Sequence, residues 1–449
     1  MRRFSIGWLT AIGVLACTQA WAQHDPGQHG AEPPEAPVGE ADAPAGQDAE
    51  AWLMAHSSGT SRQPASWPMP MVMFDRGGWN VSLMGQLFLV RTEQTERRGR
   101  DATYSANWAM LGAGRRVGRG AVQFRVMNSL EPATVRQRQY PLLFQTGETA
   151  FDIPIVDGQH PHDFFMELSG QYARPIGPTV LSAYYGLVGD AALGPVAFPH
   201  RASAMELPQA TLGHHWQDST HIATNVWTLG WAMGGVEIEG SAFHGAEPDE
   251  RRWNIGLGAP DSWAGRVSLA PQANWTAQVS TGRLHHPEAH HPDDITRTTA
   301  SAHYVRPRGN AESLAASLIW ARNVKSVASY ATQAVTIEAL APVGWQSAIT
   351  GRFEWSQRDE LFEYDHHVAE QVREDTGRVA FPVTALTLGY VRDVAAGRLF
   401  QAGLGVNATA YWISEDLTPY YGNRPWSASV FVRVRLRSDP AGMAANHVH

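Results

Sequence analysis

The sequence contains a single cysteine, Cys17, and it lies in a stretch that we expect to be removed. The first residues carry two positive charges, Ile6 to Ala16 is apolar, and Ala20-Trp21-Ala22 fits the rule for a signal-peptidase site. We therefore predict a signal peptide over residues 1–22. A lipoprotein acylation site at Cys17 is the alternative interpretation, although Leu15 fits it poorly. After ordinary cleavage the mature chain has no cysteine, which excludes disulfides and thiolate metal sites.

Long apolar runs and charged residues are also scarce. Beyond residue 22, no uninterrupted apolar segment reaches the length of about 18 residues that a membrane helix needs. Charged residues make up 17% of the chain and its net charge is −8, so nothing favours nucleic acid as a partner. Aromatic residues and glycine are plentiful, with 17 Trp, 12 Tyr and 42 Gly. This composition is typical of a bacterial outer-membrane barrel.

Sixteen short segments with alternating apolar and polar residues follow from about residue 75 onward. In the last of them, Trp426 to Arg437, valines alternate with Phe431 and three arginines. Successive side chains on a strand point to opposite faces, so this strand has one apolar face and one charged face. The predicted strands are 79–90, 104–115, 119–129, 163–174, 178–189, 221–232, 234–244, 261–270, 272–283, 296–306, 311–322, 330–341, 344–357, 382–393, 398–412 and 426–437.

The connections between these segments are alternately short and long. Outer-membrane barrels have short periplasmic turns, long outer loops and an even number of strands. We therefore predict an all-β fold, a transmembrane antiparallel β-barrel of about 16 strands over residues 76–437. A secreted sandwich or propeller would not require that alternation. Glu237, Glu239 and Arg352 should face a water-accessible lumen, because charge on the lipid side is costly. Candidates for the aromatic girdles are Trp108, Trp227, Trp231, Trp345, Trp355 and Trp426.

The chain before the barrel differs in composition. Residues 23–75, rich in Pro, Ala, Gly and Glu at first, should form a periplasmic segment. Within it, residues 50–75 also contain Trp and Met, and we expect them to pack into or under the lumen. Met69, Met71 and Met73 would share a face if extended, and thioethers are soft ligands that select Cu(I). The alternative is an apolar segment that docks against the barrel. Residues 438–449 form a tail.

Histidine and carboxylate residues gather in the long loops. This ligand set suits Zn²⁺, Cu²⁺ or Ni²⁺. The candidate metal ligands lie just before two strands that begin at the outer rim: His160, His162, Asp163, His214, His215, Asp218 and His221. The competing interpretation is a hydrogen-bonded polar network that folds two loops into the mouth. The tract from His285 to His291 should be exposed and bind metal loosely.

Several local motifs resemble an uncharacterised family of porin-like Gram-negative outer-membrane β-barrel proteins. The motifs are Ser58 to Ser61, Tyr140 to Thr149, Gln159 to Asp163, Gly213 to Ile222, and Glu239 to Phe243 with Glu247 to Glu250. The resemblance covers most of residues 50–437. It implies an outer-membrane barrel and brings no established activity, so it assigns no functional residues.

Two classes of function remain open. The first is an outer-membrane channel or binding protein for a small solute, such as a transition-metal ion bound by loop histidines. The second is an outer-membrane hydrolase that uses Ser219, His221 and Asp218 at the outer rim. In either case the expected partners are the lipid bilayer, lipopolysaccharide and the barrel-assembly machinery. The sequence favours the first class, since a hydrolase needs no wide lumen.

Overall fold

The protein is described by a computed structural model that covers residues 48–95, 97–135, 139–309, 312–344 and 346–437. The predicted signal peptide, residues 23–47 and the predicted tail lie outside the described residues. The strands are β1 (Val72–Arg76), β2 (Trp79–Gln94), β3 (Ala102–Val117), β4 (Gly120–Asn128), β5 (Tyr140–Ala150), β6 (Ile153–Gln159), β7 (Phe165–Ile176), β8 (Thr179–Gly189), β9 (Ala223–Met233), β10 (Val236–His244), β11 (Ser262–Gln272), β12 (Trp275–Leu284), β13 (Ile295–Gly309), β14 (Glu312–Lys325), β15 (Ala331–Pro342), β16 (Ser347–Arg358), β17 (Phe381–Ala396), β18 (Phe400–Ile413) and β19 (Trp426–Leu436). The helices are α1 (Ala49–Met54), α2 (Glu131–Thr134), α3 (His214–Gln217), α4 (His366–Thr376) and α5 (Thr418–Tyr421), with 3-10 turns at Phe198–His200, Ser219–Ile222 and Glu415–Leu417.

Sixteen of these strands form one closed antiparallel barrel. The ring runs β2, β3, β4 and then β7 to β19, and it closes where β19 pairs with β2. The short strand β1 pairs with the beginning of β2, from Trp79 to Leu83, while β19 pairs with its later part. The hairpin of β5 and β6 stands apart in the connection between β4 and β7. The predicted fold and the sixteen predicted strands are confirmed, with boundaries that differ by a few residues.

The two faces of the barrel differ in polarity. Outward-facing Leu229 is 70% exposed, whereas inward-facing Glu237 and Arg352 are at most 1% exposed. A closed barrel satisfies the backbone hydrogen bonds of its strands, and an apolar outer surface suits lipid. The protein is therefore an outer-membrane barrel, as predicted. Among the described residues, no helix has the length and apolar character to cross a bilayer.

The girdle prediction is wrong for Trp108. Trp227 and Trp426 point outward and are about half exposed, at 55% and 45%. Trp108 instead shares its orientation with the buried Met110, two residues further along β3. Its ring lies inside the barrel, 4.7 Å from the His200 ring between centroids. Side chains two residues apart on a strand share a face, so Trp108 is expected on the same face as Met110.

Residues 48–71, here called the prefix, contact the inner wall. In α1, Trp52 and Leu53 pack against small wall residues such as Ala121 and Ala173. Further along, Ser58 Oγ donates to Asp190 Oδ2 at 3.0 Å. Guanidinium groups of the wall also donate hydrogen bonds to the backbone and hydroxyl groups of the prefix.

One position of the prefix accepts only glycine. Gly59 has a φ of +52°, and a Cβ there would lie 2.6 Å from Asp190 Cβ. Its carbonyl accepts a hydrogen bond from the Arg125 guanidinium. On either side, Ser61 Oγ donates to Asp190 Oδ2 at 3.2 Å, and Thr60 Oγ1 accepts from Arg266 Nη2 at 2.8 Å. The motif from Ser58 to Ser61 therefore binds the prefix to the barrel wall.

Candidate metal centre

Two long outer connections carry the predicted ligands. Loop A, residues 129–164, contains the hairpin of β5 and β6 and ends just before β7. Loop B, residues 190–222, contains α3 and ends just before β9. Only β8 stands between β7 and β9 in the barrel, so the ends of the two loops are close neighbours at the outer mouth. Both loops are largely buried, and loop B packs against the inner wall.

Guanidinium groups of the wall hold loop B in place. Arg297 on β13 and Arg358 on β16 donate to the carbonyl oxygens of His215 and Leu212. Within the loop, Arg201 binds Glu338 of β15, with Nε 2.8 Å from Oε2. Arg201 thus has carboxylate partners, and the two wall guanidinium groups have carbonyl acceptors, which offsets the cost of taking these charges out of water. The inward-facing arginines fix the position of the histidines.

All five candidate histidines come together. Their side chains belong to residues that are 2–6% exposed. The ring centroids are separated by 5.6 Å for His160 and His215, 6.4 Å for His160 and His214, 5.1 Å for His214 and His215, 5.3 Å for His214 and His221, and 5.5 Å for His162 and His221. Three of them, His160, His214 and His215, each offer a ring nitrogen, and these nitrogen atoms lie within 4.8 Å of one another.

Carboxylates orient two of these three rings. His214 Nδ1 lies 2.7 Å from Asp218 Oδ1, and His215 Nδ1 lies 3.2 Å from Glu247 Oε1. Histidines that bind metals usually hold a carboxylate or carbonyl with the other ring nitrogen. Among the described residues, His215 Nε2 is buried without a hydrogen-bond partner. His160 differs, since its Nε2 lies 2.9 Å from Glu148 Oε1 and a bound ion would have to displace that contact.

The other two histidines follow the same pattern. His162 Nδ1 lies 3.0 Å from Glu131 Oε2, and His221 Nδ1 lies 2.7 Å from the carbonyl oxygen of Asp218. In both rings Nε2 is buried and has no partner within the described part of the chain. An unpaired buried nitrogen costs free energy, so these atoms suit a ligand or ordered water.

The protonation of the rings follows from burial and the carboxylates. Burial lowers the pKa of His214 to about 4, although Asp218 acts to raise it. Burial, with the neighbouring His214, also holds the pKa of His221 well below its usual range. Burial acts in the same direction on His215, but the carboxylates of Glu247, Glu148 and Glu360 together outweigh it, and the pKa of His215 lies above its usual value. His214 and His221 are thus neutral at pH 7, the form that binds metals.

The two predicted aspartates differ in position. Asp163 forms an ion pair with Arg252, with Oδ1 3.1 Å from Nη1, and this guanidinium also binds Glu148. Asp218 lies inside the cluster, between His214 and Arg201, whose Nη1 is 2.9 Å from Oδ2. The structure thus brings Asp218 to the histidines as an orienting group and pairs Asp163 with an arginine.

Three carboxylates of the site had no role in the sequence predictions. Glu131, Glu148 and Glu247 each contact a candidate histidine. Glu148 and Glu247 lie in motifs that carry the family resemblance, and that was the available signal. Each of these carboxylates is at least 12 residues away in the sequence from the histidine it contacts. The spacing of residues within one motif therefore does not indicate the pairing.

Ser219, His221 and Asp218, the residues of the hydrolase hypothesis, are not arranged as a catalytic triad. Ser219 Oγ accepts a hydrogen bond from Arg297 Nη1 at 2.9 Å. In the described structure no hydrogen bond joins Ser219 Oγ to a histidine. Asp218 is already bound to Arg201 and His214. A nucleophile and a base within hydrogen-bonding distance, which such catalysis needs, are therefore lacking at these residues.

Two further groups of ligand-type residues lie nearer the surface. His285, His286 and Asp294 form the exposed group, and His285 Nδ1 lies 2.8 Å from Asp294 Oδ1. Glu288, His291 and Glu360 form a second group beside Lys325. Both include residues of the tract that was expected to bind metal loosely. Any binding measurement on this protein must account for them.

Comparisons with known proteins give porins as structural neighbours. The anion-selective porin from Comamonas acidovorans is 11% identical with a TM-score of 0.49, covering 80% of this chain and 99% of the porin. OmpF of Salmonella typhi, solved in complex with daunomycin, is 10% identical with a TM-score of 0.48, covering 81% and 99%. The channel DcaP of Acinetobacter baumannii is 8% identical with a TM-score of 0.45, covering 80% and 98%. No protein-family model and no curated protein sequence matches the chain.

Proposed function

We propose that this chain is an outer-membrane channel or binding barrel for a small solute, and that it holds a divalent transition-metal ion between His160, His214 and His215. The observation that carries this proposal is the set of three buried ring nitrogens within 4.8 Å of one another. Ligand nitrogens around a tetrahedral Zn²⁺ lie about 3.3 Å apart, given bond lengths of about 2.0–2.1 Å. Small side-chain rotations would therefore complete the site.

The surroundings of the three rings support a metal ion over a purely structural network. A network would pair both nitrogens of each ring, yet Nε2 of His215 has no partner among the described residues. The Glu247 and Asp218 carboxylates would also offset the charge of a divalent cation. Imidazole suits Zn²⁺, Cu²⁺ and Ni²⁺, so the geometry supports this set without choosing one.

Conduction would require movement inside the barrel. The prefix and loop B both pack against the inner wall of a barrel that would otherwise hold a lumen wide enough for water. We infer that a solute passes only when the prefix is displaced. The bilayer with its lipopolysaccharide and the barrel-assembly machinery remain the expected partners.

Calorimetry tests the metal proposal. All proteins would carry His285→Asn, His286→Asn, His290→Asn and His291→Gln, so that the exposed tract does not bind. In this background, His160→Ala/His214→Ala should lower the affinity for Zn²⁺, Ni²⁺ or Cu²⁺ by roughly 100-fold, since two of three ligands are lost. The matched control is His366→Ala/His367→Ala, two exposed histidines of α4. Equal affinity in all three proteins would leave the cluster with a structural role only.

A further inference from the structure

Methionines are concentrated at one place inside the barrel. Of the 12 methionines in the chain, seven belong to a single cluster. The methionine cluster consists of Met54, Met69, Met71, Met84, Met110, Met127 and Met166. Met73, expected beside Met69 and Met71, is instead 40% exposed on β1.

The strand register aligns the members that lie on the wall. Met84 on β2 is directly opposite Met110 on β3, which is directly opposite Met127 on β4. Met166 follows on β7, the next strand of the ring. Directly opposed residues have Cβ atoms about 4.5–5.5 Å apart. Thioethers of four neighbouring strands thus form a row across the inner wall.

The row faces donors from two other segments. The prefix supplies Met54, Met69 and Met71. Loop B supplies His200, whose Nε2 lies 3.3 Å from Met127 Sδ. The other nitrogen of this ring, Nδ1, is buried and has no partner among the described residues.

A small cavity adjoins these donors. It measures about 20 Å³ and is lined by Met69, Met84, Met205, His200 and Trp108, among others. A cavity of at least about 10–15 Å³ can hold one water molecule, so this one has room for a single ion. The space therefore lies between three thioethers, one imidazole and two indole rings, with Ser57 and Gln86 also in its lining.

We propose that the methionine cluster and His200 bind a soft monovalent cation, Cu(I) or Ag(I), inside the barrel. Thioethers select soft ions over Zn²⁺ or Ni²⁺, and an imidazole nitrogen completes such a site. Gap-filling is the usual role of methionine in a core. That role does not account for a buried imidazole with one nitrogen against a thioether and the other unpaired. The proposal is independent of the histidine centre, which has carboxylates around it and suits divalent ions.

Titration of the folded protein with Ag(I) tests this site. All proteins in this experiment would carry the four histidine substitutions in the exposed tract that the calorimetry uses. They would also carry His160→Ala/His214→Ala, so that the histidine centre does not compete for Ag(I). Met84→Leu/Met127→Leu removes two sulfurs and nearly conserves volume. It should weaken Ag(I) binding by roughly tenfold or more, as should His200→Gln. Met73→Leu/Met233→Leu, two outward methionines that are 40% and 45% exposed, is the matched control and should bind as the parent does.

A second readout needs no variant of the cluster. Ag(I) should slow peroxide oxidation of Met84 and Met127, measured by peptide mass spectrometry, and leave Met73 and Met233 unchanged. Equal Ag(I) affinity in the parent and both cluster variants would overturn the proposal. If Met84→Leu/Met127→Leu fails to fold, unchanged oxidation of the two methionines in the presence of Ag(I) would overturn it as well.

Discussion

The histidine centre and the methionine cluster lie in the same barrel, yet their surroundings differ in one respect. The histidines at the outer mouth contact Asp218, Glu247 and other carboxylates. The methionines pack instead with apolar neighbours such as Val188 and Ile222. Carboxylates beside imidazole favour divalent ions, whereas thioethers in apolar surroundings favour soft monovalent ones. The two regions therefore predict different ions, and each can be perturbed without the other.

Deleting the prefix should have the largest effect. Removing residues 48–71 takes three methionines from the cluster and frees the wall contacts of Asp190 and Arg266. Single-channel conductance in planar bilayers should rise by at least about tenfold, because a 16-strand barrel encloses a water-wide lumen. Ag(I) binding should fall while Zn²⁺ binding persists. Deleting residues 24–47 is the length-matched control. Equal conductance of both deletions and the parent would contradict displacement of the prefix as the opening step.

Breaking the buried ion pairs of loop B should have the second-largest effect. Arg201→Met leaves Asp218 without its guanidinium partner and removes one of the two guanidinium groups that bind Glu338, which keeps Arg352. Breaking a buried pair costs about 3–5 kcal/mol. We expect faster hydrogen exchange across residues 190–222 and a lower unfolding temperature in detergent. Arg283→Met breaks the exposed Arg283–Asp294 pair, with 2.6 Å between Nη2 and Oδ2, and should leave both measurements unchanged. Similar results for the two variants would mean that Arg201 does not hold the histidine loop.

A smaller effect should follow the loss of an orienting carboxylate. Glu247→Gln removes the charge beside His215 Nδ1 and should weaken Zn²⁺ binding by roughly 10–100-fold, with Ag(I) binding unchanged. Asp249→Asn, at an exposed position of the same loop, is the control. Equal Zn²⁺ affinity in the two variants would remove Glu247 from the site.

The strands of the barrel wall could be predicted from the sequence because the direction of each side chain follows from its position within its own strand. In β10, Glu237 and Glu239 alternate with Val236 and Ile238, and a period of two decides which face meets lipid. The same counting, applied to neighbouring strands in register, aligns Met84 with Met110 and would have revealed the methionine row. Each of these methionines is isolated within its own strand, so the row becomes visible only when neighbouring strands are aligned.

The contacts of the loops that pack inside the barrel could not be predicted in the same way. The position of His215 depends on Arg297 of β13, and its orientation depends on Glu247 in a different loop. These partners are far apart in the chain, so no spacing within a motif indicates them. The sequence could predict which histidines would meet, since β7 and β9 are near neighbours. It could not predict which carboxylates would orient them.

Anomalous diffraction from crystals grown with Zn²⁺ would test the central proposal most directly. The data would be collected on both sides of the zinc absorption edge, with the exposed tract substituted as above. The proposed function predicts a peak within about 2.0–2.1 Å of nitrogen atoms of His160, His214 and His215. A map with no peak between these three rings, from crystals that hold zinc elsewhere, would contradict it.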